Sequence, residues 1–250
     1  MDRLVVIQIV IVIVSILLLV GPKSTVVLAD SLNDGVFAID SIPYGLSYEE
    51  WTIKFWQWLL PIPADKNPVT DETGENCREN QGELPVFFLA FAGGGAAERT
   101  CNIPSGKAIL IPVNVVECSF LELPSAKTEE ELHVCAEEDE SSNPGAYLSV
   151  DNREFKDLLK YRIHSGAFNV TFSDIFGTAG GPTQAVSDGY WIILEPLPPG
   201  KHEIHFKAIL TNPDTGVLIY SDDLLYHVNV AEEIPSSTQL NGTSIGETFR

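Results

Sequence analysis

The densest collection of metal-seeking oxygens in the chain is Asp65-Lys66-Asn67-Pro68-Val69-Thr70-Asp71-Glu72-Thr73-Gly74-Glu75-Asn76. Carboxylate and amide oxygens this close together, in a loop pinned by Pro63 and Pro68 and then by Cys77, suit a hard cation that takes roughly six to eight oxygen ligands. Calcium is the natural ion, with Asp65, Asn67, Asp71 and Glu72 as its candidate ligands. The spacing is not that of an EF-hand, which alternates its oxygens around a glycine at the sixth loop position. The same residues have a purely local reading: Asp and Asn accept hydrogen bonds from nearby backbone amides, so Asp65, Asn67 and Asp71 would cap turns.

Four cysteines, Cys77, Cys101, Cys118 and Cys135, contain no C-x-x-C pair. A tetrahedral zinc site brings its thiolates in close pairs, so two disulfides are the better reading, and closing the shortest loops pairs Cys77 with Cys101 and Cys118 with Cys135. Oxidised sulfurs leave no thiol nucleophile. Five histidines remain as candidate ligands: His133, His164, His202, His205 and His227. In a strand His202 and His205 point to opposite faces and cannot chelate one ion, whereas His202 and His227 could meet across a hairpin or serve as hydrogen-bonded structural residues. Asn169 (Asn169-Val170-Thr171) and Asn241 (Asn241-Gly242-Thr243) are acceptors for N-linked glycan in a host that glycosylates exported proteins.

Other chemistry is constrained by what the chain lacks. It has no Gly-x-Ser-x-Gly elbow and no His-Glu-x-x-His, and Gly106-Lys107 would need a glycine where Cys101 stands to make a phosphate loop. The acidic runs Glu129-Glu130-Glu131 and Glu137-Glu138-Asp139-Glu140 read as a solvated helix face. Two carboxylates at the separation used in glycoside hydrolysis leave no sequence trace, so that chemistry stays open. With 35 Asp+Glu against 15 Lys+Arg the formal charge is -20, which repels phosphate backbones and excludes nucleic acid as a partner.

These residues must be carried by a turn-rich chain: 19 glycines and 16 prolines favour many short strands over a helical bundle. Leu4 to Val20 is an apolar run followed by the small-residue exit Val27-Leu28-Ala29, a signal peptide or an N-terminal membrane anchor over 1–29. Past it, Gly35 to Tyr44 reads as a strand. Ser47 with Glu50 is a capping box, which predicts a helix to about Leu60, stopped by Pro61 and Pro63. Tyr48, Trp51, Phe55, Trp58 and Leu59 share one side of it, so core packing explains the aromatic cluster; a sugar-binding platform or a membrane-facing surface are the functional alternatives. Strands are expected at Val86–Ala92, Arg99–Ile103, Ala108–Val116, Ala146–Val150, Leu159–His164, Phe168–Phe172, Tyr190–Leu194, His202–Leu210 and Leu225–Val230. Pro112 implies an edge or a bulge, and Gly93-Gly94-Gly95 a tight turn. A second capping box, Thr128 with Glu131, opens a short acidic helix. The architecture expected is all-β, a β-sandwich of immunoglobulin-like or jelly-roll type over 30–232, with one Trp-rich helix, one acidic helix and a flexible tail over 233–250.

Leu197-Pro198-Pro199-Gly200-Lys201-His202-Glu203-Ile204-His205-Phe206, with the strand ending Tyr226-His227-Val228, resembles the closing hairpin of immunoglobulin-like modules of exported proteins. Trp56-Gln57-Trp58, Pro63 to Pro68, Asp71, Thr73-Gly74, Cys77, Gln81-Gly82, Arg99-Thr100-Cys101, Pro104, Gly106-Lys107, Tyr161-Arg162, Ser187 to Trp191 and Pro199 to His202 are similar to a family of secreted bacterial and archaeal proteins with no attached activity. That resemblance spans nearly the whole exported part and implies a single exported fold, extracellular or in the cell envelope. The function expected is a non-catalytic envelope or extracellular binding or interaction module, calcium-stabilised if the acidic loop holds the ion, with a glycan or an envelope protein as partner and the membrane engaged only through an uncleaved N-terminal segment. An exported polysaccharide hydrolase using paired carboxylates and a structural surface protein are the alternatives.

Overall fold

The structure, a computed structural model, describes residues 35–140, 145–212 and 214–232. The segment 1–29, the tail 233–250 and Asn241 lie outside the described residues. Among those described, no helix is long and apolar enough to cross a membrane.

In chain order the elements are a 3-10 turn Pro43–Gly45, α1 Tyr48–Leu59, β1 Val86–Phe88, β2 Gly95–Ile103, β3 Ala108–Ser119, α2 Glu129–Glu140, β4 Gly145–Val150, β5 Arg153–Glu154, a 3-10 turn Leu158–Tyr161, β6 Arg162–His164, β7 Phe168–Phe172, β8 Gly181–Leu194, β9 Gly200–Thr211 and β10 Leu218–Val230. They form a predominantly β fold of two mixed sheets with two helices. One sheet runs β1-β3-β8-β6, with β7 also paired to β8, and the other runs β2-β10-β9-β4-β5. Both contain one parallel pair, β1 with β3 and β10 with β2.

Both capping boxes form. Glu50 N donates to Ser47 Oγ at 3.2 Å and Ser47 N to Glu50 Oε2 at 2.7 Å, so α1 starts where two orphan donors are satisfied. At α2, Glu131 N donates to Thr128 Oγ1 at 3.3 Å and Thr128 N to Glu131 Oε2 at 3.1 Å. The first sheet is buried on both faces, which explains its continuous apolar runs. Ile109, Ile111, Tyr190, Ile192 and Leu194 pack with Ile204, Phe206, Leu224, Tyr226 and Val228 of the second sheet. Leu110, Trp191 and Ile193 on the opposite face pack against Trp51, Phe55, Trp56 and Leu59 of α1. The tryptophans of α1 are therefore core, as their spacing implies.

Several elements differ from the sequence expectation. Gly35 to Tyr44 is not a strand: only Val36 bridges Leu194, and Pro43 then turns the chain with Tyr44 at φ 54°. Leu159 to Tyr161 is mostly a 3-10 turn, leaving a strand of three residues. β8 and β10 begin well upstream of the expected Tyr190 and Leu225: Gly181 to Gly189 mixes small and polar residues, and Leu218 to Ser221 lies exposed, so neither stretch shows the apolar run that marks a strand. The Pro198-Pro199-Gly200 turn leads from β8 of one sheet into β9 of the other, and the last hairpin closes instead at 212–217, where Asn212 N donates to Val217 O at 2.8 Å.

Candidate ligand-binding pocket

The acidic loop is organised from its own backbone. Both oxygens of Asp71 are engaged: Oδ1 accepts from Thr73 N at 2.9 Å and Gly74 N at 3.0 Å, and Oδ2 from Asn76 N at 2.7 Å. Burial pushes the Asp71 carboxyl up, but the amide bonds from Asn76, Thr73 and Gly74 outweigh it and hold the group below its ordinary value. Asn67 is fully buried, with Nδ2 donating to Leu59 O and Ile62 O and Oδ1 accepting from Val69 N. Asp65 and Glu72 stand exposed. Of the four expected calcium ligands, Asn67 and Asp71 cap turns as the local reading implies, while Asp65 and Glu72 point to no shared centre with them. Among the described residues, no three His, Cys, Asp or Glu side chains gather as a metal-binding group.

Both disulfides have the expected pairing, Cys77–Cys101 and Cys118–Cys135. Two such bonds belong to an oxidising environment. His202 and His227 do not meet: the register sets Val228 opposite His202 and Glu203 opposite His227. His202 Nδ1 lies 2.8 Å from Asp151 Oδ2 and Nε2 lies 2.8 Å from Pro198 O, while His227 Nε2 is 2.7 Å from Glu98 Oε1. Burial lowers the His202 imidazole, and its bonds to Asp151 and Pro198 raise it further than burial lowers it. His205 shares Asp223 with Lys207. Asn169 is exposed on β7, on the side opposite the buried Phe168, Val170 and Phe172.

What sequence reasoning missed is a pocket of about 400 Å³ beside the far end of β3. It starts from Pro112. A bulge between Pro112 and Asn114 resets the alternation just beyond the three residues that β1 pairs, and Asn114 is carried to a buried position opposite Tyr190. The bulge can approach β8 so closely only because residue 189 is glycine: at φ +148°, a Cβ there would lie 2.5 Å from the Asn114 carbonyl and 2.6 Å from the Val115 Cα. Past it, Val115, Val116 and Glu117 are partly exposed at the pocket wall.

Three devices hold the other walls. Trp56 of α1 donates its indole N–H to Ser187 Oγ at 2.8 Å and meets Phe91 edge-on at 5.9 Å, and Phe91 in turn stacks with Phe176 at 6.3 Å. Buried Arg99 donates to the carbonyls of Ala90, Phe91 and Val69 and to the Tyr226 hydroxyl, tying the Phe91 backbone to the acidic loop. Buried Asp222 accepts from Ala92 N at 3.1 Å and Gly94 N at 2.7 Å, fixing the glycine turn that leads into β2. Tyr220 lies against this aspartate; burial, then the Asp222 charge and hydrogen bond, push its hydroxyl far above the ordinary tyrosine value. The mouth is formed by the tip of the β9–β10 hairpin, where Leu210 and Ile219 line the pocket and Val217, Leu218 and Ile219 are 62%, 58% and 59% exposed.

The polar content of the wall is small and mostly acidic. Glu122 Oε2 accepts from Ser119 Oγ at 2.8 Å. Glu117 beside it is raised well above the ordinary carboxyl range, first by burial and then by the charge of Glu122 and a hydrogen bond shared with it. Glu117 Oε1 and Asn114 Nδ2 are buried with no hydrogen-bond partner among the described residues. Asn114 is 3% exposed. A buried donor and a buried acceptor left unpaired each cost free energy. The one available signal in the sequence was Glu117, a carboxylate closing the apolar run of β3. Comparison with protein-family models, curated proteins and solved structures returns no match, so what this pocket does rests on its geometry.

Proposed function

We propose that the protein is an exported, non-catalytic binding module whose ligand occupies the pocket between Trp56, Phe91, Glu117 and the β9–β10 hairpin tip. Its two sheets, joined by one shared apolar cluster, are taken as a β-sandwich of the immunoglobulin-like or jelly-roll kind, belonging to the secreted family its motifs resemble. Export is supported by the two disulfides and by the apolar N-terminal run. The observation that carries the reading is an open cavity walled by Trp56, Phe91, Phe176, Leu210 and Ile219 with few polar side chains among its lining residues. Aliphatic walls at Val115, Leu210 and Ile219 favour a small ligand with an apolar body over an extended glycan or an envelope protein.

The hydrolase alternative gains little from Glu117 and Glu122. Glu117 and Glu122 lie within hydrogen-bonding reach of each other, closer than the roughly 5–9.5 Å that glycoside hydrolysis uses. Calcium stabilisation likewise gains little from a loop whose Asn67 and Asp71 already serve backbone donors. The test uses Nile red, a neutral apolar dye. Saturable enhancement of its fluorescence by the native protein, lost in Leu210→Trp, which fills the cavity, is the expected result. Unsaturable binding, or binding indifferent to Leu210→Trp, overturns the assignment.

A further inference from the structure

We propose that His202 is a pH-operated clamp between the β4–β5 turn and the crossover from β8 to β9: it joins the two while its ring carries two protons and releases the turn when one is lost. Both ring nitrogens face acceptors. Nε2 lies 2.8 Å from Pro198 O, and Nδ1 lies 2.8 Å from Asp151 Oδ2. A backbone carbonyl only accepts, so Nε2 carries a proton, and the carboxylate oxygen beside Nδ1 is matched only by a second one. With a single proton on the ring, two lone pairs confront each other at Nδ1. The side chain is 10% exposed, so water is poorly placed to take over the lost bond.

The two sides of the clamp differ in stiffness. On the crossover, Pro198 and Pro199 have φ fixed by their rings. On the other side Asp151 and Asn152 both hold positive φ, 50° and 64°, which non-glycine residues adopt at a cost. Their turn is kept by Asp151, whose N donates to Glu203 O at 2.9 Å and whose Oδ1 accepts from Glu203 N at 2.9 Å. The turn is therefore the part that yields when Oδ2 loses its donor. The charged groups sharing a cavity of about 530 Å³ with the ring are Asp151, Lys201 and Glu203 of β9, and His227 of β10; β2 contributes the neutral Thr100. Glu203 is paired with His227, and Asp151 supplies the charge that acts on His202. Because the folded imidazole is raised, its contribution is complete below the unfolded value and is lost as pH rises through the folded one.

The experiment follows the ring nitrogens of His202 by nitrogen-15 NMR on the full chain from pH 5.5 to 9. At pH 6.5 more than half of the rings are expected to carry both protons. Protection of the Asp151 amide against hydrogen exchange, corrected for intrinsic base catalysis, should fall with the same midpoint as the ring titration. Asp151→Asn offers an amide donor to an unprotonated Nδ1, so a ring with one proton then satisfies both partners. In that variant His202 is expected to titrate below the usual imidazole value, and protection at position 151 to lose its pH dependence. Should the variant fail to fold, the native chain decides alone. A ring with predominantly one proton at pH 6.5, or Asp151 protection indifferent to the ring titration, overturns the clamp. So does a His202 titration that Asp151→Asn leaves unchanged.

Discussion

Two acidic regions of this molecule look alike in composition and behave oppositely. In the loop from Asp65 to Asn76 the buried Asp71 is surrounded by amide donors and held below its ordinary value. At the far end of β3 the half-buried Glu117 faces another carboxyl and is held above its own. The first arrangement spends its oxygens on folding the chain, as Asn67 Oδ1 does in accepting from Val69 N. The second leaves an oxygen without a partner beside an open apolar space. Density of oxygens here marks a well-capped turn, and an oxygen left without a partner marks a place where packing supplies no donor.

The contrast can be broken at the loop first. Replacing Cys77 and Cys101 by serine frees the loop from β2 and is expected to cost about 3 kcal/mol in denaturant unfolding, the scale for a loop of this kind. Asp71→Ala, which abandons three backbone donors, should cost roughly 2 kcal/mol; a loss below about 0.5 kcal/mol would mean the capping contributes little.

The pH response separates the two regions by sign. Asp71, lowered in the folded state, stabilises above the unfolded carboxyl range, and that contribution disappears as pH falls through its folded value. Glu117, raised in the folded state, contributes fully at acidic pH and loses that contribution as pH rises through its folded value. Glu117→Gln should accordingly melt higher than the native protein at pH 8 and no higher at pH 4, while Asp71→Asn should show its deficit at pH 8 and a smaller one at pH 3. A Glu117→Gln difference independent of pH would contradict a carboxyl raised in the folded state. The smallest expected effect is that of calcium: millimolar calcium should leave the melting temperature unchanged, and a rise of more than about 2 °C would return the acidic loop to metal binding.

Much of the local structure was legible because its causes are local. Ser47 with Glu50 and Thr128 with Glu131 mark helix starts within a single turn, and Pro112 announces a bulge where no β1 partner remains. The cysteine pairing followed from short loops, and the aromatic spacing of α1 from its period. The pocket was illegible for the complementary reason. Trp56, Phe91, Glu117, Phe176 and Tyr220 come from separate parts of the chain, and nothing near any one of them signals the others. The β10 extension upstream of Leu225 was missed because Leu218 to Ser221 lies at the exposed hairpin tip, without the buried alternation that reveals a strand.

Read alone, the order of residues determined the helix starts, most strands, the bridges between sulfurs and the acidic character, since each depends on neighbours or on a sum over the chain. Only the folded arrangement decided which carboxylates are content and which are not. That distinction depends on which donors arrive from distant segments and how much water is excluded, and both are set by packing.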